Sequence, residues 1–227
     1  MKIRFTCNRI ALVFALVGCS GSSMMSSSDA APQPDAGPSP SQQHLYISKL
    51  AAFGGHASVV SVYALPLASN STPVLNLQTP GNNPLSPCFD GAGHILVPDC
   101  TGLPVCTGRI FAYALPLTGS STPAFTLATP YLPWDCHFDS SGNMYVAQNE
   151  ITTSVGANQV SVFKAPVQTG STMSSMISTP TATSGVWTDS SGRVYVEGRT
   201  AIAIYSALNE GNALQATFPN GANGSST

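Results

Sequence analysis

The sequence predicts an all-β protein assembled from repeated four-stranded modules, and three observations carry that expectation. The first is a repeat. Tyr63-Ala-Leu-Pro-Leu67 recurs letter for letter as Tyr113-Ala-Leu-Pro-Leu117 and, degenerated, as Phe163-Lys-Ala-Pro-Val167, each 50 residues after the last. The second is a turn motif in the same modules: Phe89-Asp90-Gly-Ala-Gly93, Phe138-Asp139-Ser-Ser-Gly142 and Thr188-Asp189-Ser-Ser-Gly192, each followed by an apolar run. The third is composition. Charged residues make up only 8% of the chain, against about 25% in ordinary domains. Twenty glycines and 18 prolines accompany them, which suits many short strands and tight turns better than helices.

Within a module the elements follow in order. Each Asp-x-x-Gly reads as a tight turn, because the carboxylate accepts hydrogen bonds from amides ahead of it and glycine takes a positive φ at no steric cost. Asp90, Gly93, Asp139, Gly142, Asp189 and Gly192 are therefore structural turn residues. The turn joins a short strand ending in Phe-Asp to an alternating strand such as Asn143-Met-Tyr-Val-Ala147. A loop of variable length leads to a third strand, Gln159-Val-Ser-Val-Phe163. Pro66, Pro116 and Pro166 end that strand, since proline donates nothing to a ladder. A fourth segment (Val74–Gln78, Phe125–Ala128, Ser174–Ile177, Leu214–Phe218) completes the unit. Four short antiparallel strands at this period make a propeller blade, with a β-sandwich or a solenoid as alternatives built from the same hairpins.

The expected fold is thus a β-propeller-like array of about four four-stranded blades over residues 44–220, with a flexible tail at 221–227. The Phe-Asp-x-x-Gly stretches and the strands after them resemble those of the NHL and YncE-like propeller families. In those families such a stretch forms the inner hairpin of each blade. His44-Leu-Tyr-Ile47 matches only the tail of the motif, so the first blade is expected to lack its inner strand, while Ala201–Tyr205 supplies a fourth copy of the Tyr-Ala strand. Three arrangements follow: a small four-bladed ring, a dimer of two half-propellers, or an incomplete or truncated ring, the last being favoured.

Ahead of the repeats stands an address. Lys2, Arg4 and Arg9 form a basic region, Ile10 to Val17 an apolar one, far shorter than the ~20 residues of a membrane-spanning helix. The run ends in Leu16-Val17-Gly18-Cys19, which resembles the lipobox of bacterial lipoproteins. The resemblance implies a signal peptide over 1–18, lipidation of the Cys19 thiol, cleavage before it and acylation of the new amino terminus. Several acyl chains anchor a protein stably where one is marginal. Residues 19–43 are rich in Ser, Pro, Ala and Gly without apolar periodicity and read as a disordered lipidated tether. The expected location is the cell envelope, with the outer membrane favoured where there is one.

Cys7 leaves with the leader and Cys19 takes lipid, so Cys88, Cys100, Cys106 and Cys136 remain for disulfides in an exported domain. Cys100–Cys106 would staple a loop, and Cys88–Cys136 would join neighbouring inner strands. Cys88 stands two residues before its Asp and Cys136 three before, so strict alternation faces them oppositely unless a bulge intervenes. Their spacing is unlike paired zinc knuckles.

No catalytic constellation stands out and no cofactor or metal is expected. His137, beside Cys136 and Asp135, together with His94 and Glu150, are the candidates for a channel-facing site; the plainer reading of His137 is a hydrogen-bonded strand histidine. Trp134 and Trp187 read as packing between blades. A formal net charge of −2 with no basic stripe argues against nucleic acid as a partner. The expected partners are the membrane through the lipid anchor, an unknown protein or small-molecule ligand, and a second copy. The functional expectation is an anchored binding or scaffolding domain. The alternative is a propeller-fold enzyme resembling lactonases or streptogramin lyases, an analogy of fold alone.

Overall fold

A computed structural model describes residues 12–13, 43–49, 59–81, 83–101, 107–149, 158–179, 182–208 and 211–219. Sheet 1 holds β1 (Leu12–Val13), β2 (His44–Lys49), β3 (Val59–Ala64) and β4 (Leu75–Gln78). Sheet 2 holds β5 (Cys88–Phe89), β6 (His94–Thr101), β7 (Thr107–Ala114) and β8 (Phe125–Ala128). Sheet 3 holds β9 (Leu132–Phe138), β10 (Met144–Asn149), β11 (Gln159–Phe163) and β12 (Ser175–Ser178). Sheet 4 holds β13 (Thr183–Thr188), β14 (Val194–Gly198), β15 (Ala201–Tyr205) and β16 (Leu214–Pro219). All four are antiparallel meanders, and together they form an all-β, propeller-like array of four blades. No helix among the described residues is long and apolar enough to cross a membrane.

The repeat letters set the register. Leu45 faces Tyr63 across the ladder, Ile95 faces Tyr113, Met144 faces Phe163 and Val194 faces Tyr205. The Tyr-Ala signature is therefore one register point repeated in every sheet. Period-two alternation sends successive side chains of a strand to opposite faces, and here each face feeds a different junction. Ile95, Val97, Phe111 and Tyr113 of sheet 2 pack with Val60 and Leu77 of sheet 1. The other face of sheet 2, with Leu96, Ile110, Ala112 and Leu127, packs with Met144, Val146 and Phe163 of sheet 3. Tyr145, Ala147, Val160 and Val162 then pack with Val186, Val194, Val196 and Ala203 of sheet 4. Middle strands covered on both faces read as unbroken apolar runs, such as Met144–Ala147. Each large apolar side chain so buried, such as Met144 or Val146, contributes about 1.5–3 kcal/mol.

Two features depart from the sequence reading. The first blade does not lack an inner strand: Leu12 and Val13 pair with Ile47 and Tyr46 in that place. The peptide bonds before Pro66, Pro116 and Pro166 are cis, a feature the strand-ending argument did not reach.

Candidate functional site

The Asp turns come first because they fix the inner hairpins. Asp139 Oδ1 accepts from the amides of Ser141 and Asn143, both at 2.9 Å. Asp90 does the same for Ala92 and His94, and Asp189 for Ser191 and Arg193. Gly93, Gly142 and Gly192 lie at φ of 99°, 80° and 80°, where a Cβ would be strained. The second carboxylate oxygen binds a side chain four residues on: His94 Nδ1 at 2.7 Å, Asn143 Nδ2 at 2.9 Å, Arg193 Nε at 2.7 Å. The Ser191 hydroxyl and the Arg193 guanidinium hold the Asp189 carboxyl well below the usual carboxylate range. His94 is thereby spent on its own turn, with its ring edge-on to Phe125, and does not join His137. Glu150, Cys19 and Cys106 lie outside the described residues.

The inner strands carry the remaining chemistry, and it concentrates where sheets meet. Cys88 and Cys136 form a disulfide with Cα atoms 5.5 Å apart, both buried. Cys88 lies opposite Leu96 and Cys136 opposite Val146, so they occupy opposite faces of their sheets. That is what a bridge between stacked sheets requires, because the face of sheet 2 turned toward sheet 3 meets the contrary face of sheet 3. The expected need for a bulge at this pair is thus corrected; the bulge of β9 falls elsewhere, where Ala147 pairs with Asp135 and Gln148 with Pro133. Cys100 is disulfide-bonded as well.

At the next junction the repeat positions of Ser86 and Cys88 hold Asp135 and His137 instead. Val186 N–H donates to Asp135 Oδ2 at 3.0 Å, and Cys136 N–H to Oδ1 at 2.9 Å. Thr188 N–H donates to His137 Nδ1 at 3.3 Å, and the Thr188 hydroxyl, which donates to Phe138 O at 3.2 Å, lies 2.8 Å from the same nitrogen. Val186 and Thr188 are alternate residues of an inner strand whose free edge would otherwise leave these amides unpaired. Asp135 and His137, alternate residues of β9, satisfy them. This latch is what sequence reasoning missed in Asp135, named only as a neighbour of His137. The available signal was alignment on the turn: Ser86 and Cys88, Asp135 and His137, and Gly185 and Trp187 stand four and two residues before their Asp or its equivalent.

Burial pushes the Asp135 carboxyl up to about 7, against the pull of the Val186 and Cys136 amides, and the Glu197 charge adds to the rise. Glu197 sits close by across Gly185: a Cβ at 185 would lie 3.0 Å from Glu197 Oε2 and 3.5 Å from Asp135 Oδ2. Burial pushes the His137 imidazole down, partly countered by Asp139. Trp187 lies against the His137 ring with centroids 4.1 Å apart, which is contact between blades, yet it remains 57% exposed. No group of three or more His, Cys, Asp or Glu able to hold a metal is found among the described residues.

No family model matches this chain, and no curated protein does. Among solved structures, the chain is similar to a functionally unknown protein from Desulfotomaculum acetoxidans, at 11% identity and a TM-score of 0.56. The match covers 78% of this chain and 53% of that one, so the chain spans about half the length of that neighbour. The likeness is one of fold.

Proposed function

We propose that this chain is an exported, lipid-anchored protein of the cell envelope whose propeller-like array serves as a binding or scaffolding module. The observation that carries the binding role is the outward face of sheet 4, which exposes Trp187 on its first strand and the cross-strand pair Ile202 and Phe218 on its last two. Asp135 and His137, the groups best suited to chemistry, are engaged in holding sheet 4 to sheet 3. The order of basic region, apolar run and Cys19 supports the address, and a buried disulfide suits an oxidising compartment.

Two measurements test this reading. Cells fed a labelled fatty acid are expected to label the chain and to retain it in the membrane fraction, and Cys19→Ala is expected to abolish both. Label that persists in Cys19→Ala would overturn the anchor. Cleavage before Cys19 would also remove β1 and open the inner edge of β2. Amide exchange at Tyr46 and Ile47 is therefore expected to be faster in the processed chain than in the precursor.

A second reading, an enzyme of propeller fold, is favoured by one observation: a carboxyl near neutrality, Asp135, beside Glu197. It predicts turnover of a lactone panel by the purified chain, lost in Asp135→Asn. Absence of turnover in the folded wild type would remove it.

A further inference from the structure

The junction between sheets 1 and 2 buries a carboxylate. Asp99 is wholly buried on the face of sheet 2 that carries Ile95 and Val97 toward sheet 1. Its Oδ1 accepts from the amides of Asn83 at 2.9 Å and Cys100 at 2.6 Å. Gly81 lies so close to the carboxyl that a Cβ there would have no room. The other oxygen, Oδ2, has no hydrogen-bond partner, and neither have the hydroxyls of Thr79 and Tyr113, which are 2% and 1% exposed. Burial raises both the Asp99 carboxyl and the Tyr113 phenol. The Thr79 hydroxyl pulls the first back, and the Asp99 charge adds to the second. The three oxygens therefore share one neighbourhood. An open cleft of about 390 Å³ is lined by Thr79 and Tyr113 together with Pro80, Ser121 and Pro123.

The repeat supplies its own controls. At the next junction the equivalent positions hold Gln148, Thr129 and Phe163. Gln148 is neutral, and although its Nε2 is unpartnered, its Oε1 accepts from Gln159 Nε2 at 3.3 Å. The Thr129 hydroxyl donates to Tyr131 O at 2.8 Å, and Phe163 has no hydroxyl. At the third junction the Tyr205 hydroxyl donates to Ser178 O at 3.2 Å. Among the described residues, only the first junction combines a buried carboxylate with two unpartnered hydroxyls. Positive charge is what it lacks. Arg109 stands opposite Asp99 on the ladder, but no ion pair between them is found among the described residues. Lys49, at the equivalent place in sheet 1, has its ammonium 5.5 Å from the Tyr63 ring centroid. A carboxylate buried without a cation is costly.

We propose that the junction of sheets 1 and 2 binds a monovalent cation, held by Asp99 Oδ2 and the hydroxyl oxygens of Thr79 and Tyr113 and admitted through the cleft. Oxygen donors suit a hard cation. One carboxylate balances one positive charge, whereas a divalent ion would leave net charge buried. Both hydroxyls keep their protons and coordinate through lone pairs, as neutral ligands. The ion would tie Thr79, just past β4 of sheet 1, to β6 and β7 of sheet 2.

The test is the thermal melt of the full chain in detergent, with sodium, potassium or ammonium chloride replacing choline chloride at fixed ionic strength, so that screening stays constant. At least one of the three small cations is expected to raise Tm saturably, by about 2–4 °C, and the strongest identifies the ion. Asp99→Gln gives sheet 2 the side chain that sheet 3 carries at this position and is expected to abolish the dependence. Tyr113→Phe and Thr79→Val are each expected to weaken the ion at least tenfold. Amide exchange on the wild type gives a reading that needs no variant to fold: the ion is expected to slow exchange at Asn83 and Cys100 and to leave Val186 and Thr188 unchanged. The proposal is overturned by the absence of a saturable shift with all three salts, in which case water or a proton satisfies Asp99. A shift that survives Asp99→Gln overturns it too, as does a larger shift with calcium chloride, or slowed exchange that spares Asn83 and Cys100.

Discussion

The junction between sheets 2 and 3 and the junction between sheets 3 and 4 solve one problem with different chemistry. In both, the inner strand of one sheet must grip the inner strand of the next at the residues four and two before the turn Asp. The first junction does it covalently at the nearer position, Cys88 to Cys136, with the Ser86 hydroxyl bonded to Asp135 at the farther one. The second does it with acceptors, His137 for Thr188 and Asp135 for Val186. Behind both grips lies the same apolar packing. The covalent grip depends on oxidation and ignores pH, whereas the polar grip depends on two groups whose ordinary pKa values have been moved. The difference shows that the propeller-like stack comes from the repeat, while the condition under which each junction holds is set by two side chains.

The largest expected effect is at the covalent junction. Cys88 and Cys136 are separated by 48 residues, and in the chain-entropy picture a crosslink closing a loop of that size is worth about 4 kcal/mol. A Cys88→Ser, Cys136→Ser chain is expected to lose about 2–4 kcal/mol in a urea melt and to melt at a lower temperature. A change below about 0.5 kcal/mol would mean that packing alone fixes this junction.

Next is the polar grip. His137→Phe keeps a ring against Trp187 but leaves the Thr188 amide, on a buried residue, without its acceptor. An orphaned buried amide costs about 1–3 kcal/mol, so this variant is expected to be destabilised by that amount, and less than the disulfide variant. Amide exchange should locate the loss at Thr188 and Val186 while the β5 and β6 amides keep their protection. Uniform loss across all sheets would show that the array unfolds as one unit, and the comparison of junctions would then carry no local meaning.

How much of this was legible in the sequence divides along the same line. The turns were, because Asp and Gly act on their own neighbours and the motif states the bonds outright, as at Asp139 and Gly142. The register was, because Tyr63, Tyr113 and Phe163 mark it by repetition. The pairing of Cys88 with Cys136 was reached, but its geometry was argued as if both cysteines lay in one sheet. Opposite parity is an obstacle within a sheet and a requirement between stacked sheets. The role of Asp135 was not legible residue by residue, since its partner across the junction is the Val186 amide, 51 positions away, and amides leave no letter in the sequence. The exposure of Trp187 was not legible either. Its repeat position is a buried one in sheet 2, and only the array reveals that nothing of the described chain follows sheet 4.

The smallest expected effect is the dependence of the polar junction on pH, and its two parts oppose each other. Asp135, raised to about 7, holds in the folded state a proton that the unfolded chain releases near the ordinary carboxylate value of about 3.9. Its stabilising contribution is therefore full below that value and is lost as pH rises toward 7. His137, lowered by burial, refuses in the folded state a proton that the unfolded chain takes up near 6.5. Its contribution is lost as pH falls below that value. Between pH 7 and 5 the two slopes offset each other in the wild type, and single variants separate them. Asp135→Asn leaves the histidine slope, so its Tm should fall on going from pH 7 to 5. His137→Phe leaves the carboxyl slope, so its Tm should rise over the same interval. Two variants that keep the wild-type profile would mean that neither group titrates at this junction, and the polar grip would then be as indifferent to pH as the disulfide beside it.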